Sequence, residues 1–312
     1  MAAAATLTFH DTWRPRANPW VIALTVTMAT FMEALDTSIA NVAMGHIGGS
    51  LSASRDEATW VLTSYLVANA VVLPISGWIA NRIGRKRFYM SCVFLFTIAS
   101  LFCGLAPTLG ILVLCRVLQG AAGGGLQPSE QSILADTFPP QKRSMAFAVY
   151  GMAVVMAPVL GPTFGGWIVD NYSWRWIFFI NIPVGILSLY LTNRVVEDPP
   201  YLAEIRARRE GVDYWGLGLL VITIGALQTM LDKGQEDDWF SSRFITTLFV
   251  IAAVGLAIFV WRQLRIEHPI LDLRLLAQRN VGTTMFVMFM VCLLYTSPSP
   301  RDYAASRMPS SA

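Results

Sequence analysis

The sequence predicts an all-α polytopic membrane protein, and three observations carry that prediction. Hydrophobic residues make up 54% of the 312 residues and charged residues only 14%, whereas charged residues make up about a quarter of a typical soluble domain. Apolar runs of about 18 residues or more recur along the chain, and a helix needs that length to cross a bilayer. Inside lipid such runs must satisfy their backbone hydrogen bonds internally, which they do as helices.

Eight complete spans and the beginning of a ninth follow from the positions of these runs. We expect a six-span transport bundle, a cytoplasmic linker, two additional spans, and a cytoplasmic amphipathic segment that leads into the partial ninth span. The predicted spans cover residues 20–45, 58–80, 88–106, 109–133, 144–168, 175–194, 214–232 and 243–263, and the ninth begins near residue 281. The segments are 1–195 for the bundle, 196–213 for the linker, 214–263 for the additional spans, 264–294 for the amphipathic segment with the partial span, and 295–312 for a disordered tail.

The charges between the spans predict the orientation. The net charge is +3, and Lys and Arg collect in alternate loops such as 82–87, 206–209 and 262–279. The opposite side has few cations and carries the acidic run at 236–238. Because cytoplasmic loops carry an excess of Lys and Arg, the N-terminus and the basic loops are expected in the cytoplasm.

The first predicted span carries acids within its apolar sequence. Glu33, Asp36 and Asn41 are expected on one helical face, so both carboxylates point the same way and could share a proton. Acids inside a membrane span mark functional sites by default. The alternative, which applies most to Glu33, is that an acid near a helix end simply reaches the headgroups.

Arg116 lies inside the fourth predicted span, just before a cluster of glycines. A guanidinium at the centre of a bilayer costs on the order of 2.5–3.5 kcal/mol on insertion scales, so it normally faces a partner or water. Two interpretations stay open: a structural arginine that ties two helices together, and a cavity-facing charge in a transport pathway. At about 100° per residue, one wall of this helix holds Arg116, Gln119, Gly120, Gly123, Gln127 and Glu130.

The turn between the second and third predicted spans is short, basic and rich in glycine. Glycine permits a tight reversal, cations can meet helix C-termini, and any short cytoplasmic loop would be basic. The string 77–87 nevertheless resembles the loop signature of the major facilitator superfamily. Asn81 stands where that family usually has aspartate, which weakens the case for a charge relay at that position. The gating residues that the resemblance implies here are Gly77, Asn81, Arg82, Gly84, Arg85 and Lys86.

The fourth and fifth predicted spans extend this resemblance. Arg116 and the residues around it are similar to a fourth-span motif of the family in which the arginine is associated with proton coupling. The fifth span is similar to the Gly-Pro-x-x-Gly-Gly signature of antiporters. Glycines let helices approach closely and prolines bend a helix, so packing and gating both stay open as roles. The residues of the fifth-span signature are Pro158, Gly161, Pro162, Gly165 and Gly166.

Further segments narrow the match to one branch of the superfamily. Residues 35–43 in the first span, 174–185 at the start of the sixth and 231–240 after the seventh resemble EmrB/QacA-type drug:proton antiporters, which have fourteen spans. The resemblance continues to about residue 290.

The resemblance implies a proton-coupled multidrug efflux antiporter that exports hydrophobic or amphipathic compounds. Protonating a cavity carboxylate would release its hold on Arg116 or on a cationic substrate and bias the rocking of two halves. The alternative is a facilitator for a specific metabolite or nutrient. A membrane enzyme is not expected, because no nucleophile–base pair, metal-ligand spacing or phosphate-binding loop stands out in the sequence. The expected proton-coupling and substrate residues are Glu33, Asp36, Asn41, Arg116, Gln119, Gln127 and Glu130.

The same resemblance sets expectations for location and partners. We expect a multi-pass protein of the bacterial cytoplasmic (inner) membrane, in contact with the lipid bilayer and with small amphipathic substrates. Some relatives in double-membraned bacteria use a periplasmic adaptor and an outer-membrane channel, so these are expected partners. No nucleic acid and no cofactor are expected, with the proton gradient as the energy source.

The end of the chain departs from the apolar pattern. After Leu294, prolines, serines and charges follow, and these cannot continue a spanning helix. A fourteen-span transporter would need about five further helices, so the chain as given is expected not to transport, and its tail is interpreted as a sequence artefact. Without an opposing half, Asp36 and Arg116 are expected to face lipid or a wet groove.

Overall fold

The computed structural model describes residues 13, 15–203, 213–266 and 269–296. Within those residues, eight helical segments are long and apolar enough to cross a membrane. They confirm the predicted all-helical, eight-span architecture, and their ends agree with the predicted ones to within a few residues. In order, spans one to eight are Pro19–Ser50, Arg55–Ile83, Arg85–Leu105, Leu109–Thr137, Pro140–Asn171, Trp176–Val195, Tyr214–Lys233 and Arg243–Arg265.

Local sequence determines where several spans begin. The Asn18 side chain accepts a hydrogen bond from the Trp20 amide, and Pro19 occupies the first turn of span one. Span two begins with a capping box, in which Ser54 and Glu57 each accept a hydrogen bond from the other's backbone amide. Both arrangements satisfy amide groups that a helix start leaves without partners.

One glycine makes the turn between spans two and three. Span two ends at Ile83 and span three starts at Arg85, so Gly84 alone reverses the chain. Its φ of 104° lies in a region that residues with a Cβ rarely adopt. The expected tight reversal is therefore confirmed at this position.

Span four is not the continuous helix that the sequence suggested. It consists of Leu109–Gly123 and Leu126–Thr137, with a turn at Gly124 and Gly125. A Cβ on Gly124 would come within 2.4 Å of the Asn69 carbonyl oxygen, so span two packs closely against span four at the break. Span six is interrupted as well, at Ile180 between Trp176–Phe179 and Asn181–Val195.

Span one is central to the bundle. It packs most extensively against span five and also contacts spans two, four and six. Its two ends belong to different apolar clusters, one around Ile22, Val26 and Met32 and the other around Ile39 and Ile47. Glu33 and Asp36 of span one lie between these two clusters.

Spans seven and eight form a hairpin on the outside of the bundle. They pack against each other, and span seven also packs against span two, around Ile75, Leu220 and Phe259. A helix at the predicted ninth span covers Arg279–Thr296, so it enters the segment interpreted as a tail by two residues. The rest of that tail, 297–312, and linker residues 204–212 lie outside the described residues.

Candidate functional site

A buried ion pair joins spans one and four. The Arg116 guanidinium donates from Nη1 to Asp36 Oδ2 at 2.6 Å, and the two side chains are 0% and 1% exposed. The expectation that these residues face lipid or a wet groove is wrong, because helices within the same bundle enclose them. Asp36 compensates the charge of Arg116 within the bundle. The second half of a transporter is therefore not needed to keep either residue out of the hydrocarbon.

Neighbouring side chains complete the hydrogen bonding of Asp36. Its Oδ1 accepts from Gln119 Nε2 at 3.1 Å and from Asn181 Nδ2 at 2.6 Å. Asn181 Nδ2 also donates to Ser100 Oγ at 2.9 Å. Asp36 is therefore bonded to spans four and six at once, while Ser100 ties Asn181 to span three.

Sequence reasoning missed Asn181 and Ser100 as site residues. Residue 181 was noticed only as part of a string that identifies the family branch. An amide in the apolar sequence of span six was a usable signal, because a buried amide must find polar partners. Ser100 carried no such signal, since a serine in a membrane helix can satisfy its hydroxyl on its own backbone.

Arg116 is held by aromatic rings as well as by hydrogen bonds. Its Nε donates to the Val61 carbonyl at 3.2 Å and its Nη1 also donates to Gln119 Oε1 at 2.7 Å. The guanidinium carbon lies 4.3 Å from the ring centroid of Tyr65 and 5.7 Å from that of Phe178, distances at which cation–π attraction acts. Among the described residues, Arg116 Nη2 has no hydrogen-bond partner.

Glu33 lies one turn away from Asp36 in a different environment. Its Oε1 accepts from Tyr65 Oη at 3.0 Å and from Asn69 Nδ2 at 3.1 Å, and its Oε2 accepts from Gln127 Nε2 at 3.1 Å. The residue is 4% exposed. The alternative in which Glu33 reaches the headgroups is therefore wrong, because the carboxyl group points into the bundle.

Glu130 forms a third buried carboxyl site. Its two oxygens accept from the hydroxyls of Thr27, at 2.5 Å, and Thr30. The residue is 0% exposed, and no cation in the described part of the chain pairs with it. The break in span four does not remove Glu130 from the polar wall, since the second half of the span still faces span one.

Of two other residues predicted for the site, Gln127 belongs to this hydrogen-bonded network and Asn41 does not. Gln127 links Glu33 to the half-buried Tyr150 of span five, whose hydroxyl donates to Gln127 Oε1 at 3.3 Å. Asn41 does not join: it is exposed, and its amide donates to the Thr37 carbonyl of its own helix at 3.2 Å.

The fifth-span signature makes the contact between spans five and one. A Cβ on Gly161 would lie 2.2 Å from Ser38 Oγ, and one on Gly165 would lie 2.9 Å from Ile39 Cγ2, whereas Gly166 has open space. Pro158 and Pro162 lie within the same helix. For Gly161 and Gly165 the structure therefore supports the packing interpretation, which leaves a gating role as a further hypothesis.

The basic turn between spans two and three is tied to the segment after span six. Arg85 forms an ion pair with Asp136 at the end of span four, and Tyr201 Oη donates to the same carboxylate. Burial raises the pKa of Tyr201 above its ordinary value, so the hydroxyl stays protonated as a donor. Lys86 Nζ donates to the Asn193 carbonyl at 2.8 Å.

The other turn residues are less enclosed. Gly77, Asn81 and Arg82 are exposed, and the Lys86 backbone amide donates to Asp198 Oδ1 at 2.8 Å. Sequence reasoning missed the Asp136, Asp198 and Tyr201 partners because they are distant in sequence from the turn.

Comparisons with known proteins agree with this architecture. Residues 26–306 match the Major Facilitator Superfamily. The multidrug export protein EmrB of Escherichia coli K12 is 42% identical over 275 residues, which cover 88% of this chain and 53% of that protein. The fatty acid resistance protein FarB of Neisseria gonorrhoeae is 48% identical over 264 residues, which cover 85% of this chain and 51% of that protein. The chain thus spans about half the length of the curated relatives it matches.

Solved structures resemble the chain in fold. The inward-open xylose transporter XylE from E. coli has a TM-score of 0.53 at 16% identity, with 72% of this chain and 58% of that chain covered. A peptide transporter, POT, in complex with sulfate has a TM-score of 0.55 at 17% identity, with 77% and 51% covered. Because the family match spans most of its sequence and its helices form the same bundle, this chain belongs to the Major Facilitator Superfamily.

Proposed function

We propose that this chain forms the N-terminal bundle of a proton-coupled efflux transporter for hydrophobic or amphipathic compounds. The observation that carries the proposal is the ion pair of Asp36 and Arg116, fully buried between two membrane helices. Charges are placed in a membrane interior at a cost, and they are typical of ion and proton pathways there. The names of the relatives, a multidrug export protein and a fatty acid resistance protein, support export of amphipathic compounds.

In this proposal, proton binding breaks the ion pair. A proton on Asp36 removes the negative charge that compensates Arg116, and the guanidinium then needs a new partner. Its Nη2 lacks a hydrogen-bond partner within the described residues, so this N–H is available to an anionic or polar group once the helices move and expose it. The state with a broken pair favours a different arrangement of the helices, which is how proton binding would drive the change of access.

Glu33 and Glu130 supply two further places for protons. Neutral donors surround both carboxyl groups, and among the residues that the structure describes neither has a counter-ion of the kind that Asp36 has. A carboxyl without a counter-ion in a buried site favours its neutral form. We therefore propose that Glu33 and Glu130 are sites that can hold a proton, in addition to the Asp36 carboxyl that is paired with Arg116.

The remaining parts of the proposal concern location and partners. The transporter would lie in the bacterial inner membrane with its N-terminus in the cytoplasm, as the distribution of cations favours. It would use the proton gradient and no cofactor. A periplasmic adaptor and an outer-membrane channel would be its partners in a double-membraned bacterium.

The test is proton-driven transport by the complete product of the gene. Inverted membrane vesicles from an efflux-deficient bacterium would be energised with an inward-acid pH gradient and given a panel of amphipathic dyes and drugs. We expect dye accumulation that a protonophore abolishes. The proposal is wrong if the vesicles accumulate none of the panel, and in particular if a sugar or amino acid is transported instead.

A further inference from the structure

A polar cavity lies where the chain enters span one and passes from span four to span five. Its volume is about 1030 Å³. The wall on one side consists of the residues before and at the start of span one, and the other wall is the loop that joins spans four and five. The side chains that matter for its chemistry are Trp13, Arg16, Trp20, Asp136, Lys142 and Arg143.

The charge that lines this cavity is positive. Arg16 and Lys142 are exposed, and within the described residues neither has an ion-pair partner. Arg143 donates from Nε to the Phe138 carbonyl at 3.0 Å, which fixes its guanidinium at the cavity wall. The acid in the lining, Asp136, is already bonded to Arg85. Three cations therefore face a space in which the acidic group is compensated.

The cavity lies at the ends of apolar helices, where membrane spans meet water. Span one begins at Pro19, span four ends at Thr137 and span five begins at Pro140, so the cavity is level with the ends of three apolar helices. Trp20 packs edge to face on Phe138 with ring centroids 5.1 Å apart, which joins the two walls. Tryptophan is enriched at this depth because its ring is apolar and its N–H is polar.

We propose that this cavity binds the headgroup of an anionic phospholipid. Arginine and lysine both bind phosphate oxygens, and basic pockets between membrane helices hold anionic headgroups. A free phosphate ion would meet the same cations. The position beside the apolar ends of three helices favours the lipid, because its acyl chains can then lie along the bundle.

Lipid binding to the purified full chain tests this site. The protein in mild detergent would be titrated with phosphatidylglycerol, cardiolipin or phosphatidylcholine and analysed by native mass spectrometry. The variant Arg16→Gln/Lys142→Gln removes two cations and keeps the contact between Arg143 and Phe138. The control variant Arg87→Gln/Arg279→Gln removes the same charge from exposed positions at other helix starts.

We expect the wild-type protein and the control to bind the anionic lipids at least about tenfold more tightly than phosphatidylcholine. The cavity variant should lose most of that preference, and Lys142→Gln alone should lose part of it. Equal binding by the cavity variant and the control would overturn the proposal. Full competition by inorganic phosphate at concentrations similar to the lipid would also overturn it, because the site would then take a free anion. The readout is binding alone, so it does not depend on whether the protein exports drugs.

Discussion

Removing one charge of the Asp36–Arg116 pair should lower the free energy of unfolding far more than removing both charges. Asp36→Asn leaves the guanidinium without its counter-ion, and Arg116→Met leaves the carboxylate without one, in a site where the side chains are at most 1% exposed. Removing one partner of a buried pair costs about 3–5 kcal/mol, whereas removing both charges is often close to neutral. The free energy of unfolding of the double variant should fall by only about 1–3 kcal/mol, because the Val61 carbonyl and Gln119 Oε1 each lose the hydrogen bond that Arg116 donates.

A double-mutant cycle measures this directly. The free energy of unfolding would be determined for the wild type, both single variants and the double variant by titrating the purified chain from mild detergent into dodecyl sulfate. Asn41→Leu is the matched control, because residue 41 lies on the same helix and is exposed; it should change stability by less than about 0.5 kcal/mol. Additive effects of the two substitutions, or losses below about 1 kcal/mol for each single variant, would refute the reasoning.

Three further outcomes are expected. Gly120→Ala should prevent close packing of spans two and four, because its Cβ would lie 2.2 Å from a backbone oxygen, whereas Gly110→Ala, with no atom within 4 Å, should fold normally by size-exclusion chromatography. Asp213→Asn should lower thermal stability at neutral pH, because the hydrogen bonds that Arg262 of span eight donates to Asp213 lower the pKa of this carboxyl. That loss should disappear as the pH falls through the lowered value, below the ordinary aspartate pKa of about 3.9. In a background without native cysteines, an external reagent should label Glu236→Cys and spare Arg208→Cys.

Each of these has a contradicting result. Normal folding of the Gly120 variant would mean that spans two and four do not touch as described. A stability difference at position 213 that does not shrink as the pH falls below the ordinary aspartate pKa would show that the contact does not depend on ionisation. Labelling of position 208 with protection of position 236 would reverse the orientation in the membrane.

Much of the fold was accessible from sequence because membrane spans depend on apolar length. A continuous apolar run can be recognised without knowing what it packs against. The break at Gly124 and Gly125 was not accessible in this way, since the apolar run continues through it and its length does not show that Asn69 of span two lies against this point. Apolar length also could not show which face of a span lies against a neighbour.

The sequence identified most of the individual site residues but not which of them contact each other. A charge inside an apolar run is conspicuous, so Asp36 and Arg116 were identified, yet their mutual contact depends on how spans one and four are rotated. Asn41 lies apart because, at about 100° per residue, it is about 140° around span one from Asp36 and so points away from the ion pair. Asn181 was missed, since an amide at a helix start can also bond to nearby backbone as a cap.

The most direct test of the central claim separates proton coupling from substrate exchange. The complete gene product would be reconstituted in liposomes as wild type, Asp36→Asn and the control Asn41→Ala. Uphill transport driven by a pH gradient and exchange of labelled for unlabelled substrate without a gradient would be measured in parallel. We expect Asp36→Asn to lose uphill transport and to retain exchange, while Asn41→Ala keeps both. Uphill transport by Asp36→Asn at the wild-type rate would contradict the assignment of Asp36 and Arg116 to proton coupling.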